Sequence, residues 1–236
     1  MKRLLFFLIG TAVFQSYALG QTTVDHGMDG LNKFIVGDFL GAIKDYTLAV
    51  KKNPQDAQAY YNMGLAKYRL EDYTGSIVAY SSAIEINTND GFSYSGRGFA
   101  KFELGDYEGA IADYSAAIKL DPQDAISYYN RGAAKGNLGD CPGEIADYTK
   151  AIQLDPMVSI AYFNRGLAKY TMGDYTGAVA DYTLAIQLDS KYARAFLNRG
   201  KSYLQLGNKE SGCADLAKAE KLGIVDGYDS FKSQCK

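Results

Sequence analysis

The chain has 236 residues, with 25 Lys and Arg against 27 Asp and Glu and a formal charge of −2, long enough for one sizeable domain. No basic stripe interrupts this mildly acidic balance, which argues against nucleic acid, whose binding requires clustered Lys and Arg. His26 is the single histidine, so a His-based metal cluster and a Ser/His/Asp triad are excluded, and no cofactor, metal or catalysis is expected.

Lys2 and Arg3 precede an apolar stretch, residues 4–14, too short to span a bilayer comfortably. Ala18-Leu19-Gly20 then offers small residues where a signal peptidase reads. Residues 1–20 are therefore predicted to be a secretory signal peptide, cleaved after Gly20. The expectation is export to the periplasm or beyond, with no stable membrane insertion once the leader is gone. The alternative is an uncleaved anchor.

From Thr23 the text repeats every 34 residues, a period that is looked for before anything else. The units are 23–56, 57–90, 91–124, 125–158, 159–192 and 193–224. Position 8 is Gly in all six, from Gly30 to Gly200, and position 27 is Ala in all six. Position 24 is Tyr46, Tyr80, Tyr114, Tyr148 and Tyr182, then Leu216. Each unit predicts two helices, over positions 1–14 and 17–30. In four units they are joined by Gly-Asp, where Gly permits the left-handed end of one helix and Asp caps the next. Asp121-Pro122 and Asp155-Pro156 stop the second helix.

This pattern resembles the tetratricopeptide repeat (TPR) family, from Thr23 to about Ile224. The family's large residue at position 4 is Tyr60, Tyr94, Tyr128, Tyr162 and Phe196, and its Pro at position 32 is Pro54, Pro122 and Pro156. Departures are His26 at position 4, Glu144 and Gly212 at position 20, and Thr88 and Ser190 at position 32. The resemblance implies an all-α, right-handed solenoid of six helix-turn-helix units. It also implies a non-catalytic role in holding a protein or peptide in a concave groove.

Taken in order, unit 1 is degenerate and polar, with His26 and Asp29, as suits a cap. Unit 4 places Glu144 at position 20 and Gly136 at position 12, beside Cys141-Pro142-Gly143; a shifted helix start or a weak spot is expected there. After unit 6, residues 225–236 are predicted to form a capping helix with Tyr228, Phe231 and Cys235 on one face.

At 100° per residue, positions 4, 7, 8 and 11 of the first helix face the second, and positions 2, 5, 6, 9, 12 and 13 face away. The groove side thus gathers Asn62, Asn130, Asn164 and Asn198 at position 6. Peptide-holding members of the family use Asn at this place, since an amide both donates and accepts. Aromatics join them: Tyr61, Tyr129 and Phe163 at position 5, and Tyr68, Phe102 and Tyr170 at position 12. These suit apolar side chains of a peptide or, as the alternative, glycan or peptidoglycan. A third reading is an accessory subunit of an envelope enzyme or secretion complex. The Lys and Asn that clamp a peptide carboxylate in one subclass are replaced by Tyr61 and Leu65, then Ser95 and Phe99.

Position 7 is Arg97, Arg131, Arg165 and Arg199, and position 23 of the same units is Asp113, Asp147, Asp181 and Asp215. Unit 2 has Met63 and Ala79 instead, so both partners vanish together and a structural ion pair is expected. Of three cysteines, Cys213 and Cys235 flank the C-terminal end. Their bridge would add about 3 kcal/mol in the chain-entropy model; the alternative is three buried free thiols.

Overall fold

The computed structural model describes residues 25–224 and Cys235. Among these it contains twelve α-helices and no strand, arranged as six antiparallel pairs. The pairs are α1 (His26–Ile35) with α2 (Phe39–Lys52), α3 (Ala57–Arg69) with α4 (Tyr73–Ile86), and α5 (Gly91–Glu103) with α6 (Tyr107–Leu120). They continue as α7 (Ala125–Asn137) with α8 (Cys141–Leu154), α9 (Ser159–Thr171) with α10 (Tyr175–Leu188), and α11 (Ala193–Gln205) with α12 (Lys209–Lys221). Each helix packs on its partner and on the next in sequence, the one-dimensional stacking of a solenoid. The first helices of neighbouring units approach one another more closely than the second helices do, so the odd-numbered helices line the inner face. None of the described helices is long and apolar enough to cross a membrane. The signal peptide expected at 1–20 and the helix expected at 225–236 lie outside the described residues, save Cys235.

Local chemistry explains the punctuation. Asp38, Asp72, Asp106, Asp140 and Asp174 each accept a backbone N–H at the start of the following helix, at 2.8–3.0 Å, a cap worth about 1 kcal/mol. The residue before each cap is left-handed: glycine in five units, but Glu71, at φ 62°, in unit 2. Val158 and Tyr192 precede α9 and α11 without any side-chain cap, so those two starts depend on packing.

The core of each pair is a ring against a glycine. A Cβ on Gly64 would lie 2.9 Å from the Tyr80 ring, and one on Gly166 2.8 Å from that of Tyr182. Position 8 is therefore glycine in units 2 and 5 because the tyrosine at position 24 fills the space, and position 20 also comes close: Ser76 donates to the Gly64 carbonyl at 2.8 Å, and in unit 6 the Gly212 carbonyl lies 2.9 Å from where a Cβ on Gly200 would be. Ala42, Ala110 and Ala178 at position 20 are fully buried. Position 14 behaves oppositely: Val36, Leu70, Leu104, Leu138, Met172 and Leu206 are all exposed, forming an apolar ridge along one edge. At the C-terminal end, Cys213 and Cys235 are joined by a disulfide with their Cα atoms 5.6 Å apart, and Cys235 packs with Leu222 and Ile224 on the last core cluster. Cys141 is a half-buried free thiol.

Candidate functional site

The ionic ladder is the most regular feature. Arg97, Arg131, Arg165 and Arg199 each grip both oxygens of the position-23 aspartate with Nε and Nη2, at 2.6–2.9 Å. Paired donation in this fork geometry is the strong form of the contact. The ring at position 4 stands under each guanidinium, 5.4–5.7 Å from it. Lys101, Lys135 and Lys169 add a second cation to the same carboxylates, at 2.7–2.8 Å. The remaining arginine nitrogen, Nη1, donates to a hydroxyl of the preceding unit: Ser81, Ser115, Thr149 and Thr183, at 3.0–3.1 Å. Sequence reading missed these hydroxyls, although their recurrence at position 25 is a signal of the same kind as the arginines. The ladder stitches units 2 to 6 together and stops at unit 2, where Met63 stands in its place.

The inner face corrects the simple angular reading. Position 5 does not face away from the second helix. Tyr61 stacks on Tyr80 with centroids 5.6 Å apart, Tyr129 on Tyr148 at 5.3 Å, and Phe163 on Tyr182 at 5.7 Å. Position 12 meets position 17 edge to face: Tyr68 with Tyr73, Phe102 with Tyr107, and Tyr170 with Tyr175, at 5.1–5.4 Å. A ring is long enough to lean back over its own helix onto the neighbour, so these six aromatics are wall as much as lining. Burial pushes the phenols of Tyr61 and Tyr129 up to about 12.

The asparagines divide. Asn62 and Asn130 are 3% exposed; Asn62 accepts from Gln58, and the Asn130 amide donates to the Ile126 carbonyl. Both are thus buried, and the bonds they make are to residues of their own helices, which leaves neither side chain open on the inner face. Asn164 is half-buried and its amide donates to the Tyr129 hydroxyl at 2.8 Å and to that of Tyr148. Tyr148 in turn donates to Glu144. Asn198 is half-buried and donates only to Arg194 O of its own helix. The inner face thus keeps Asn164, Asn198, Phe102, Tyr129 and Tyr170 partly accessible, and adds a residue that sequence reading passed over. Phe92, at position 2, is 63% exposed. Among the described residues no group of acidic, His and Cys side chains is placed to hold a metal ion.

Comparison with known proteins agrees with this architecture. A family model described as TPR repeat matches residues 33–71, 98–139 and 169–207, and one described as Tetratricopeptide repeat matches 57–90 and 193–222. No curated protein matches the chain. Among solved structures it is similar to YrrB, described as a TPR protein with an unusual peptide-binding site: TM-score 0.71, 20% identity, covering 80% of this chain and 97% of that one. It is similar to PilF of Pseudomonas aeruginosa, with TM-score 0.75, 16% identity, and 89% and 96% coverage. It is also similar to MamA, with TM-score 0.67, 25% identity, and 74% and 99% coverage.

Proposed function

Because this chain belongs to the tetratricopeptide-repeat family, we propose that it is a non-catalytic scaffold that holds an extended segment of a partner protein against its inner helical face. The observation that carries this reading is Phe92. A large aromatic left 63% exposed on the inner helices, among rings that are otherwise packed away, is an anchor without a covering in the free chain. The peptide-binding site named for YrrB supports the choice of a polypeptide. Glycan stacking is less favoured, since the rings at positions 5 and 12 already lie against rings of the second helices. The reading of residues 1–20 as a secretory leader supports a partner in the envelope or outside the cell.

The test is comparative capture from envelope extract. A Phe92→Asp/Arg194→Asp variant alters two exposed position-2 residues of the inner face. Val78→Asp alters an outer residue that is 61% exposed on α4. A partner kept by the parent and by Val78→Asp but lost by the inner-face variant supports the reading, provided helicity is unchanged. A partner lost only by Val78→Asp overturns it.

A further inference from the structure

Unit 3 breaks the inner face. Where units 2, 4 and 5 carry a ring at position 5, it has Ser95; where units 2, 4, 5 and 6 carry Asn at position 6, it has Gly96. A cavity of about 70 Å³ opens at this point, walled by Tyr61, Leu65, Tyr68, Tyr80 and Phe99, with Phe92 at its mouth. Tyr80 is 2% exposed, and its hydroxyl stands 2.9 Å from where a Cβ on Gly96 would be. That hydroxyl has no hydrogen-bond partner among the described residues. The corresponding hydroxyls of Tyr114 and Tyr182 are also unpartnered but sealed; that of Tyr80 borders open space.

The dimensions and chemistry select an occupant. One water needs roughly 10–15 Å³ by this measure, so the cavity takes about five non-hydrogen atoms: one side chain, too little for a lipid chain or an indole. Five aromatic rings surround the space and one buried donor faces it. A thioether is apolar, makes favourable contacts with ring edges and accepts a weak hydrogen bond. The surroundings are acidic. Asp124 lines the cavity, Glu103 accepts from the Tyr68 hydroxyl, and Asp90 lies within electrostatic reach of Tyr61 and Tyr80. Arg69 is the cation in reach of Tyr68 and Tyr80. Three carboxylates against one guanidinium disfavour an anionic head group and favour a basic neighbour on the ligand.

We propose that this cavity is a methionine pocket, taking the Met side chain of a bound polypeptide segment that carries Lys or Arg beside it. The proposal rests on the groove reading above and names its specificity. The probe is a set of short blocked peptides, Lys-Xaa-Lys flanked by glycines, with Xaa as Met, norleucine, Phe or Ala, titrated into the isotope-labelled protein. The Met peptide should shift the signals of Tyr80, Phe99 and Phe92. It should bind about three-fold tighter than norleucine and at least about ten-fold tighter than Ala, with Phe excluded by size. Tyr80→Phe should bring the Met and norleucine peptides level. Ser95→Phe, which places at position 5 the ring that units 2, 4 and 5 carry, should abolish the preference for Met over Ala with helicity unchanged. Equal binding of Met and Ala peptides overturns the pocket and leaves the groove reading standing. Failure of every peptide to shift any signal at millimolar concentration also overturns the pocket; the groove reading is then decided separately by capture with the Phe92→Asp/Arg194→Asp variant.

Discussion

The carboxylate of Glu144 lies against Gly136, its Cδ 2.7 Å from the point where a Cβ on that glycine would stand. In units 1, 2, 3 and 5 the same region holds two rings in edge-to-face contact, from positions 12 and 17. Unit 4 has Gly136 and Cys141 at those positions, and the Glu144 carboxylate takes up part of the space. The helix start is not displaced: α8 begins at Cys141 with Asp140 capping it, so the shift expected from the Cys-Pro-Gly text does not occur.

This arrangement predicts a pH-dependent stability. Burial pushes the Glu144 carboxyl above its ordinary value of 4.5, with Asp140 acting in the same direction and the Tyr148 hydrogen bond opposing. The folded chain therefore holds the proton to higher pH than the unfolded chain does, and stability falls as pH rises from that ordinary value through the folded one. Glu144→Gln should match the parent near about pH 4 and exceed it near about pH 7. Urea midpoints across that range check this; parallel curves for the two proteins would sink it.

Breaking one rung of the ladder should cost more than deleting it. Arg131→Ala leaves Asp147, which is 4% exposed, with Lys135 as its remaining cation, and should lose about 2 kcal/mol through the lost charged hydrogen bonds. Arg131→Met/Asp147→Ala, which copies Met63 and Ala79 of unit 2, should lose clearly less. Chemical denaturation of the three proteins decides the order, and a double variant weaker than the single one would refute the assignment.

The asparagines should separate in the same experiment. Asn164→Ala leaves the Tyr129 and Tyr148 hydroxyls without their shared donor and should cost about 1–2 kcal/mol. Asn198→Ala gives up only a bond within its own helix and should stay within about 0.5 kcal/mol of the parent. Similar losses at both sites would show that the hydroxyl bridge carries no weight.

How much of this was legible beforehand follows from residue reach. Period and caps are local properties, so the helix pairs follow from Gly-Asp links and the phase of Gly30 to Gly200. The arginine and aspartate columns were readable because Met63 and Ala79 depart together. The facing of Tyr61, Tyr129 and Phe163 was not. Angular arithmetic follows the Cα–Cβ bond, while a ring extends far enough to meet Tyr80, Tyr148 or Tyr182 on the neighbouring helix. Asn62 and Asn130 were misplaced for a related reason: a single-helix projection gives a direction but not the burial that packing imposes, which leaves each 3% exposed. The cavity at Ser95 and Gly96 arises from two absences, visible in sequence only as a break in the asparagine column.

Reduction gives a further test. The Cys213–Cys235 bridge closes a segment with a sequence separation of 22, so its loss should lower stability by about 3 kcal/mol. Cys213→Ser/Cys235→Ser should reproduce the effect without reductant. Before reduction the isolated protein should weigh about 2 Da less than after it, and alkylation of all three thiols in untreated protein would contradict the bridge.

The arginine ladder also bears on how the molecule would yield if pulled by its ends. Four consecutive junctions are riveted by a guanidinium hydrogen-bonded to its own unit and to the one before it, whereas between units 1 and 2 Met63 stands in that place and Arg69 lies over the Phe34 ring at 5.8 Å. Under rising tension α1 and α2 should peel away first, at low force, and units 2 to 6 should then give way together in a larger step. Such a molecule would yield at one end while keeping the inner face of units 2 to 6 in register.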